Sequence, residues 1–329
     1  MTIYDIAKLS GVSIATVSRV MQGKTNVSET TREKVLSVMK AHNYSPSMIA
    51  RGMSSKSLQT IAIVIQDFSN YHHMKIAHEI ENYFNSISFN VVIYEAGVSD
   101  EDVCRFLERM KEFSIDGFVL VGSVFQLIEG IQEEALRLIG DKPIVIVNGW
   151  FPGTYGLLVD EADGEELAAD YLFEKGATDI VFVRHNNTNS SYNKENGFRR
   201  SAAKNGFKSS FIIMNGKDDY IGLKTGIMKQ KIVPGHTAIV SVDDRIGLMA
   251  SNVCRELGYK VPDDVQIIGY DNSEYAILSS PQLTTVDNFA HRQGQECAAF
   301  LGGILNGKIE EKKVFSYITP ELVFRDSSF

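Results

Sequence analysis

From Leu58 onward the chain repeats one pattern: a short continuous apolar run, a stretch of helical length, then another apolar run. Runs at Ile61 to Ile65, Val91 to Tyr94, Phe118 to Val121 and Ile144 to Val147 alternate with helical stretches near His73 to Ser86, Glu101 to Phe113 and Leu127 to Ile139. After the segment NGWFPGTYG the pattern starts again. Strands are expected at Ile180 to Val183, Phe211 to Met214, Ala238 to Val242 and Val265 to Gly269. Helices near Glu165 to Lys175, Asn193 to Lys204, Gly222 to Lys229 and Ile246 to Leu257 separate them. Strands alternating with helices imply parallel pairing through crossovers. Two such series predict two doubly wound α/β subdomains, each with its own core, facing one cleft. Open sheets of this kind bind ligands beyond the carboxyl ends of their strands.

The first fifty-six residues follow a different pattern. Thr2 can cap a helix, with Asp5 reciprocating three residues on, and Ile3, Ile6, Ala7 and Leu9 give an apolar face. Gly11 stands where a left-handed C-terminal residue is expected. Ser13 can cap a second helix that buries Val17, Val20 and Met21 and ends at Gly23. Two short helices joined by a turn containing Gly form a helix-turn-helix. The outward face of the second then holds Ser13, Ile14, Ala15, Ser18 and Arg19. Arg19 could bond a guanine through its planar fork, and Ile14 and Ala15 could touch thymine methyls in the major groove. The same pattern also fits an ordinary helix pair with Arg19 as a solvated charge. A third helix is expected from about Ser28 to His42, with Val35, Leu36, Val38 and Met39 as its apolar surface. Pro46 to Met53 is too short to be a stable helix alone, and Gly52 weakens it by about a further 1 kcal/mol. Such a linker suits a hinge that orders on DNA.

Charge supports this division. The formal net charge of the 329 residues is −8, which taken alone argues against nucleic acid. Residues 1–56 hold eight basic and three acidic residues, a balance of +5; the remainder holds 25 basic and 38 acidic residues, a balance of −13. The start has no apolar core of signal-peptide length and no apolar run is long enough to span a bilayer. Cys104, Cys254 and Cys297 are odd in number and far apart, so no disulfide framework is expected. The expected setting is cytoplasmic, without membrane contact.

IYDIAKLSGVSIATVSRVMQG, VSETTREKVLSVMKAHNYSP and ARGMSSKS resemble the headpiece of the lactose/galactose repressor family. The recognition helix is most similar to those of catabolite-control and galactose-type members. DDVQIIGYDNSE and SPQLTTVDN resemble the signature of that family's periplasmic-binding-protein-like core, and the closing FRDSS also fits. The resemblance implies a helix-turn-helix headpiece at 1–44, a hinge helix and linker at 45–57, and an effector-binding core at 58–329. It implies three crossings between subdomains, near Gly156, Val286 and Tyr317. The N-subdomain would then hold about 58–156 and 287–316, and the C-subdomain about 157–286 and 317–329. In the family the hinge helices of a dimer enter the minor groove and wedge a base step; Met53 holds that position here, where Leu is usual. The implied partners are an operator in double-stranded DNA, a second copy of the chain, and a small-molecule effector. The chain carries no leucine heptad after Val323, so a homodimer is the expected assembly.

Resemblance and strand ends together nominate the cleft residues. Asn148, Asp243 and Asp271 end strands and match effector-contacting positions, and carboxylates and amides suit paired sugar hydroxyls. Lys194 stands where Arg is usual, which loses the bidentate fork. Phe289, Tyr220 and Trp150 are candidates for stacking on a ring. Asn70 to His73 departs from the family's Asn-Pro-Phe-Phe, leaving Tyr71 as the aromatic wall there. No metal site is expected from His72, His73 and His78, whose spacing does not share one helical face. Gly302 to Lys308 reads G-x-x-x-x-G-K, but Ile309 replaces the Ser or Thr of a phosphate loop. No nucleophile, base and orienter set is present and no cofactor motif is found. The expectation is a ligand-responsive regulator, most often a repressor, of carbohydrate-related genes. A periplasmic-type solute-binding protein, or a regulator answering to a nucleobase or a partner protein, remains as an alternative.

Overall fold

The computed structural model of the chain describes residues 1–21, 26–44, 58–97, 99–110, 114–126, 129–185, 188–308 and 312–329. Gly23 and the expected hinge helix, Met53 included, lie outside the described residues. The chain divides into two units, one holding the N-terminal segment up to Thr60 and one holding nearly all the rest.

The N-terminal unit contains α1 (Ile3–Ser10), α2 (Ile14–Met21) and α3 (Glu29–Ala41). The capping box of α1 is formed: the Thr2 side chain accepts from the Asp5 amide, and the Asp5 carboxylate accepts from the Thr2 amide at 2.8 Å. Gly11 ends α1 at φ +63°. The Ser13 hydroxyl caps α2 by accepting from the Thr16 amide at 3.1 Å. Ile6, Ala7, Val17, Val20 and Val35 close a small core. Two expected core positions are exposed instead, Leu9 at 51% and Leu36 at 48%. The buried stripe of α1 is Ile3, Ile6, Ala7 and Ser10, at helical spacing, and Leu9 falls off it. Ser10 is tolerated inside because its hydroxyl donates to the Ile6 carbonyl at 2.6 Å.

The second unit contains two six-stranded sheets. The first runs β11-β5-β4-β3-β1-β2, from β1 (Thr60–Ile65), β2 (Asn90–Glu95), β3 (Gly117–Val121), β4 (Ile144–Val147), β5 (Tyr155–Val159) and β11 (Val314–Ile318). The helices α4 (Tyr71–Ser86) and α12 (Ala290–Leu305) pack on it, and α5 (Asp100–Met110) and α6 (Glu129–Ile139) pack on each other. The second runs β12-β10-β9-β8-β6-β7, from β6 (Asp179–Arg184), β7 (Lys208–Ile213), β8 (Thr237–Ser241), β9 (Val265–Tyr270), β10 (Thr284–Asp287) and β12 (Glu321–Val323). Its helices are α7 (Glu161–Glu174), α8 (Asn189–Asn205), α9 (Tyr220–Lys229), α10 (Asp244–Glu256) and α11 (Glu274–Leu278). Strands β1, β3, β4, β8 and β9 are buried at every residue, as continuous apolar runs in doubly covered parallel sheets require. One departure from the parallel expectation is β12, which pairs antiparallel with β10 at the sheet edge. The chain crosses between sheets after Val159, Asp287 and Ile318, because β5, β10 and β11 each run slightly past the expected points.

Both sheets reverse their strand order near the middle, between β1 and β3 in one and between β6 and β8 in the other. The loops leaving these four strands therefore open a crevice at the carboxyl edge of each sheet.

Candidate binding cleft and nucleic-acid interface

Two adjoining cavities, of about 90 and 300 Å³, occupy the crevice. The first sheet lines them with Gln66 after β1, Ser123 after β3 and Asn148 after β4; the second contributes His185 after β6, Asp243 after β8 and Asp271 after β9. Gly122 stands at φ +132° against Gln66, whose Cβ a side chain at 122 would meet at 2.8 Å, so this wall is open only to glycine. Gly197 has the same role between α7 and α8. A Cβ there would collide with the Ala162 carbonyl, and the close helix packing sets Glu161 and Lys194 on one wall.

Asp243 is fixed twice. One oxygen accepts from the Ile246 amide at 2.7 Å as the cap of α10, and the other lies 3.3 Å from His185 Nε2. Burial opposes its charge, but His185, the Ile246 amide and Lys194 together outweigh burial and hold the carboxyl below the usual range. Asp271 has φ +95°, and its Oδ1 accepts from Asn288 Nδ2 at 3.0 Å and lies 3.8 Å from the Lys194 ammonium. Lys194 donates to the Val242 carbonyl at 2.8 Å and sits 3.6 Å over the Tyr270 ring. Asn148, at φ +55°, accepts from the Val159 amide at 3.3 Å. Tyr71 lines the outer cavity and meets Tyr275 of the opposite subdomain edge-on, at 6.5 Å between ring centroids. Five of the eight nominated residues therefore meet in the cleft.

The other three do not reach it. Trp150 is 38% exposed on the turn before β5, where its indole N–H donates to the Thr154 carbonyl at 3.1 Å. Tyr220 begins α9 and donates to Glu256 at 2.7 Å; burial first and that carboxylate second push its hydroxyl up to about 12. Phe289 caps α12 and packs on the core of the first sheet. Each was nominated for aromatic character, which serves packing as well as stacking.

Several cleft residues escaped the sequence reading. Gln66, His72, His73, Glu161, His185, Asn288 and Gln293 all line the inner cavity. Only the two histidines carried a signal, as the break in the aromatic motif. Burial lowers both, and His73 falls to about 3, with His72 as the next cause. Five buried polar atoms around this cavity have no hydrogen-bond partner among the described residues: His72 Nδ1, His73 Nδ1, Glu161 Oε2, Asn288 Oδ1 and Gln293 Oε1. Unpaired buried polar atoms cost about 1–3 kcal/mol each, and these five gather at one cavity. Across the outer mouth, Lys217 pairs with Asp67 at 2.7 Å.

In the N-terminal unit Ser13, Ile14, Ala15 and Arg19 are exposed and Ser18 is half-buried, all away from the core face of α2. Arg19 makes no ion pair among the described residues. No helix among the described residues is long and apolar enough to cross a membrane.

Residues 2–47 match the family described as bacterial regulatory proteins, lacI family, and residues 169–328 match the periplasmic binding protein-like domain. The transcriptional regulator DegA of Bacillus subtilis is 29% identical, over 99% of this chain and 98% of its own length. The fold matches a lac repressor dimer bound to operator and the anti-inducer ONPF, with TM-score 0.87 and 22% identity over 99% of this chain and 98% of that one. It also matches a complex of the regulator CelR with cellobiose, with TM-score 0.70 and 23% identity over 99% of both chains. With its helix-turn-helix unit, its two-sheet core and its length matched throughout, the chain belongs to the lacI family of bacterial regulatory proteins and is a DNA-binding transcription regulator, not an enzyme.

Proposed function

We propose that the chain is a cytoplasmic repressor that binds a pseudo-palindromic operator as a homodimer, with affinity set by a sugar-type effector in the cleft. The headpiece is residues 1–44, the linker 45–57 and the effector core 58–329. Ser13, Ile14, Ala15, Ser18 and Arg19 face base edges, and Met53 wedges the central step. Tyr71, Asn148, Lys194, Asp243 and Asp271 hold the effector, joined by His185, Asn288 and Gln293.

The observation that carries this reading is the set of five unpartnered polar atoms around one cavity at the switch points of both sheets. A polyhydroxylated ligand offers donors and acceptors at close spacing and satisfies such a wall. The complex of CelR with cellobiose, on the same fold, is consistent with a sugar in this place. An effector acts only through different affinity for two arrangements of the subdomains.

The test uses the whole chain. Selection from random duplex DNA should enrich two inverted half-sites, with affinity falling steeply as salt rises. A sugar that raises the melting temperature should also change operator affinity. Absence of salt-dependent DNA binding would refute the reading, as would a stabilising sugar that leaves operator affinity unmoved.

A further inference from the structure

The inner cavity has an imbalance of charge that a neutral sugar does not correct. Three carboxylates line it, Glu161, Asp243 and Asp271, against one lysine, Lys194. Lys194 serves Asp271, and His185 serves Asp243. Glu161 is only 4% exposed and makes no ion pair among the described residues. Ser190 donates to its Oε1, and its Oε2 has no partner among the described residues. A buried carboxylate without a counter-charge is costly, and a hydroxyl donor relieves only part of that cost.

Two neighbouring atoms without a partner among the described residues share its polarity, while His72, whose Nε2 accepts from Asn288 at 3.4 Å, keeps its Nδ1 as a donor. Gln293, fully buried, donates its amide N–H to the Asn288 carbonyl at 2.6 Å, which fixes its Oε1 as an unpaired acceptor. Asn288, 3% exposed, donates to Asp271, which fixes its Oδ1 likewise. Three unpaired acceptors thus face one cavity, and the group they await is rich in N–H or O–H donors. One turn along α7 the crowding of carboxyls shows in Glu165, which holds its proton: burial first pushes its carboxyl up to about 8; Lys194 pulls it down, while Asp271 and Glu161 push it further up.

We propose that the effector is an amino sugar, or a polyol bearing a free amine, whose ammonium group is received by Glu161 on the acceptor wall completed by Asn288 and Gln293. This rests on the reading of the cleft as the effector site and narrows the class of ligand it takes. The three N–H bonds of an ammonium match three acceptors, and its charge supplies what Lys194 leaves unbalanced.

The test compares matched probes on the whole chain by thermal shift and calorimetry: D-glucosamine against D-glucose, D-galactosamine against D-galactose, and D-mannosamine against D-mannose. N-acetyl-D-glucosamine, which keeps the nitrogen and loses the charge, is the control. At least one amine should bind tenfold or more tightly than its neutral partner. Glu161→Gln should bring that ratio towards one, the amine losing several-fold more affinity than its neutral partner. The unliganded melting curve of the variant checks that it folds. A neutral sugar binding as tightly as its amine overturns the inference and leaves the cleft reading standing, as does an unchanged ratio in Glu161→Gln. If none of the seven probes binds, the inference falls and the sugar-type reading falls with it.

Discussion

At the scale of single residues, the cleft separates groups held ready from groups held silent. Asp271 joins the Asn288 amide to the Lys194 ammonium, so its loss takes one partner from each as well as removing an acceptor. Asp271→Ala should weaken effector binding by at least tenfold in calorimetry while operator affinity of the unliganded protein holds; unaltered effector affinity would remove Asp271 from the site. Arg19 has no competing ion pair among the described residues and an exposed side chain, so its guanidinium is available to a base. Arg19→Ala should cost about 1–3 kcal/mol at one base position and flatten the preference there; a selection profile identical to the parent's would make Arg19 a mere surface charge. Glu165 gives a prediction in pH. Its carboxyl is raised to about 8 from an ordinary 4.5, so between those values the folded chain keeps a proton that the unfolded chain has lost. Stability from this group therefore falls as pH rises from 4.5 and levels off above 8, by on the order of 1 kcal/mol per pH unit. Glu165→Gln should flatten that slope in melting temperatures taken from pH 5 to 9, and raise the value at pH 9. An equal slope in both proteins would show that the group ionises freely in the fold.

At the scale of elements, the helices α7 and α8 illustrate how the second subdomain builds its half of the site. Gly197 brings them together so tightly that any side chain there meets the Ala162 backbone. Gly197→Ala should therefore destabilise the protein by about 1–3 kcal/mol, the usual cost of overpacking, and also weaken effector binding, since Glu161 and Lys194 ride on these two helices. A stable variant with normal binding would show that the helices can part without disturbing the wall. The same comparison explains which elements were legible in the sequence. Buried central strands such as Ile144–Val147 are apolar throughout, and a continuous run declares itself. The strand Thr284–Asp287 has a single apolar residue, Val286, and Glu321–Val323 is three residues long, so neither carries a pattern. Their places come from pairing with β9 and with each other, which sequence periodicity does not encode. The site divides in the same way. Asp243 and Asp271 were legible because strand ends point to a cleft. Glu161 and Gln293 were not, because they sit on helices entered only after the chain changes subdomain.

At the scale of the whole core, two subdomains meeting at a cleft form a two-state device only if contacts across the cleft differ between its states. Among the described residues such contacts include Lys217 with Asp67 and Ser69, Tyr71 with Tyr275, and Asn189 donating to the Gln126 carbonyl at 3.4 Å. The ion pair carries the sharpest prediction. Burial alone would raise the Asp67 carboxyl, but Lys217 and Ser69 bring it down to about 2, so it stays ionised across any working pH. Both side chains are about one-third exposed, so salt screens the pair and its worth is modest, about 0.2–1 kcal/mol. Lys217→Ala should then weaken effector binding by at most about fivefold, the limit that an energy of this size allows. Between 50 and 500 mM salt the parent should lose affinity for a neutral effector and the variant should not. Between pH 5 and 8 this contribution should stay constant, because Asp67 does not titrate there. The stability contributed by the carboxylate is present above its ordinary value near 3.8 and disappears only as pH falls through 2. Equal salt dependence in parent and variant would mean that the pair closes nothing, and the coupling would then rest on the Tyr71–Tyr275 contact and on the ligand itself.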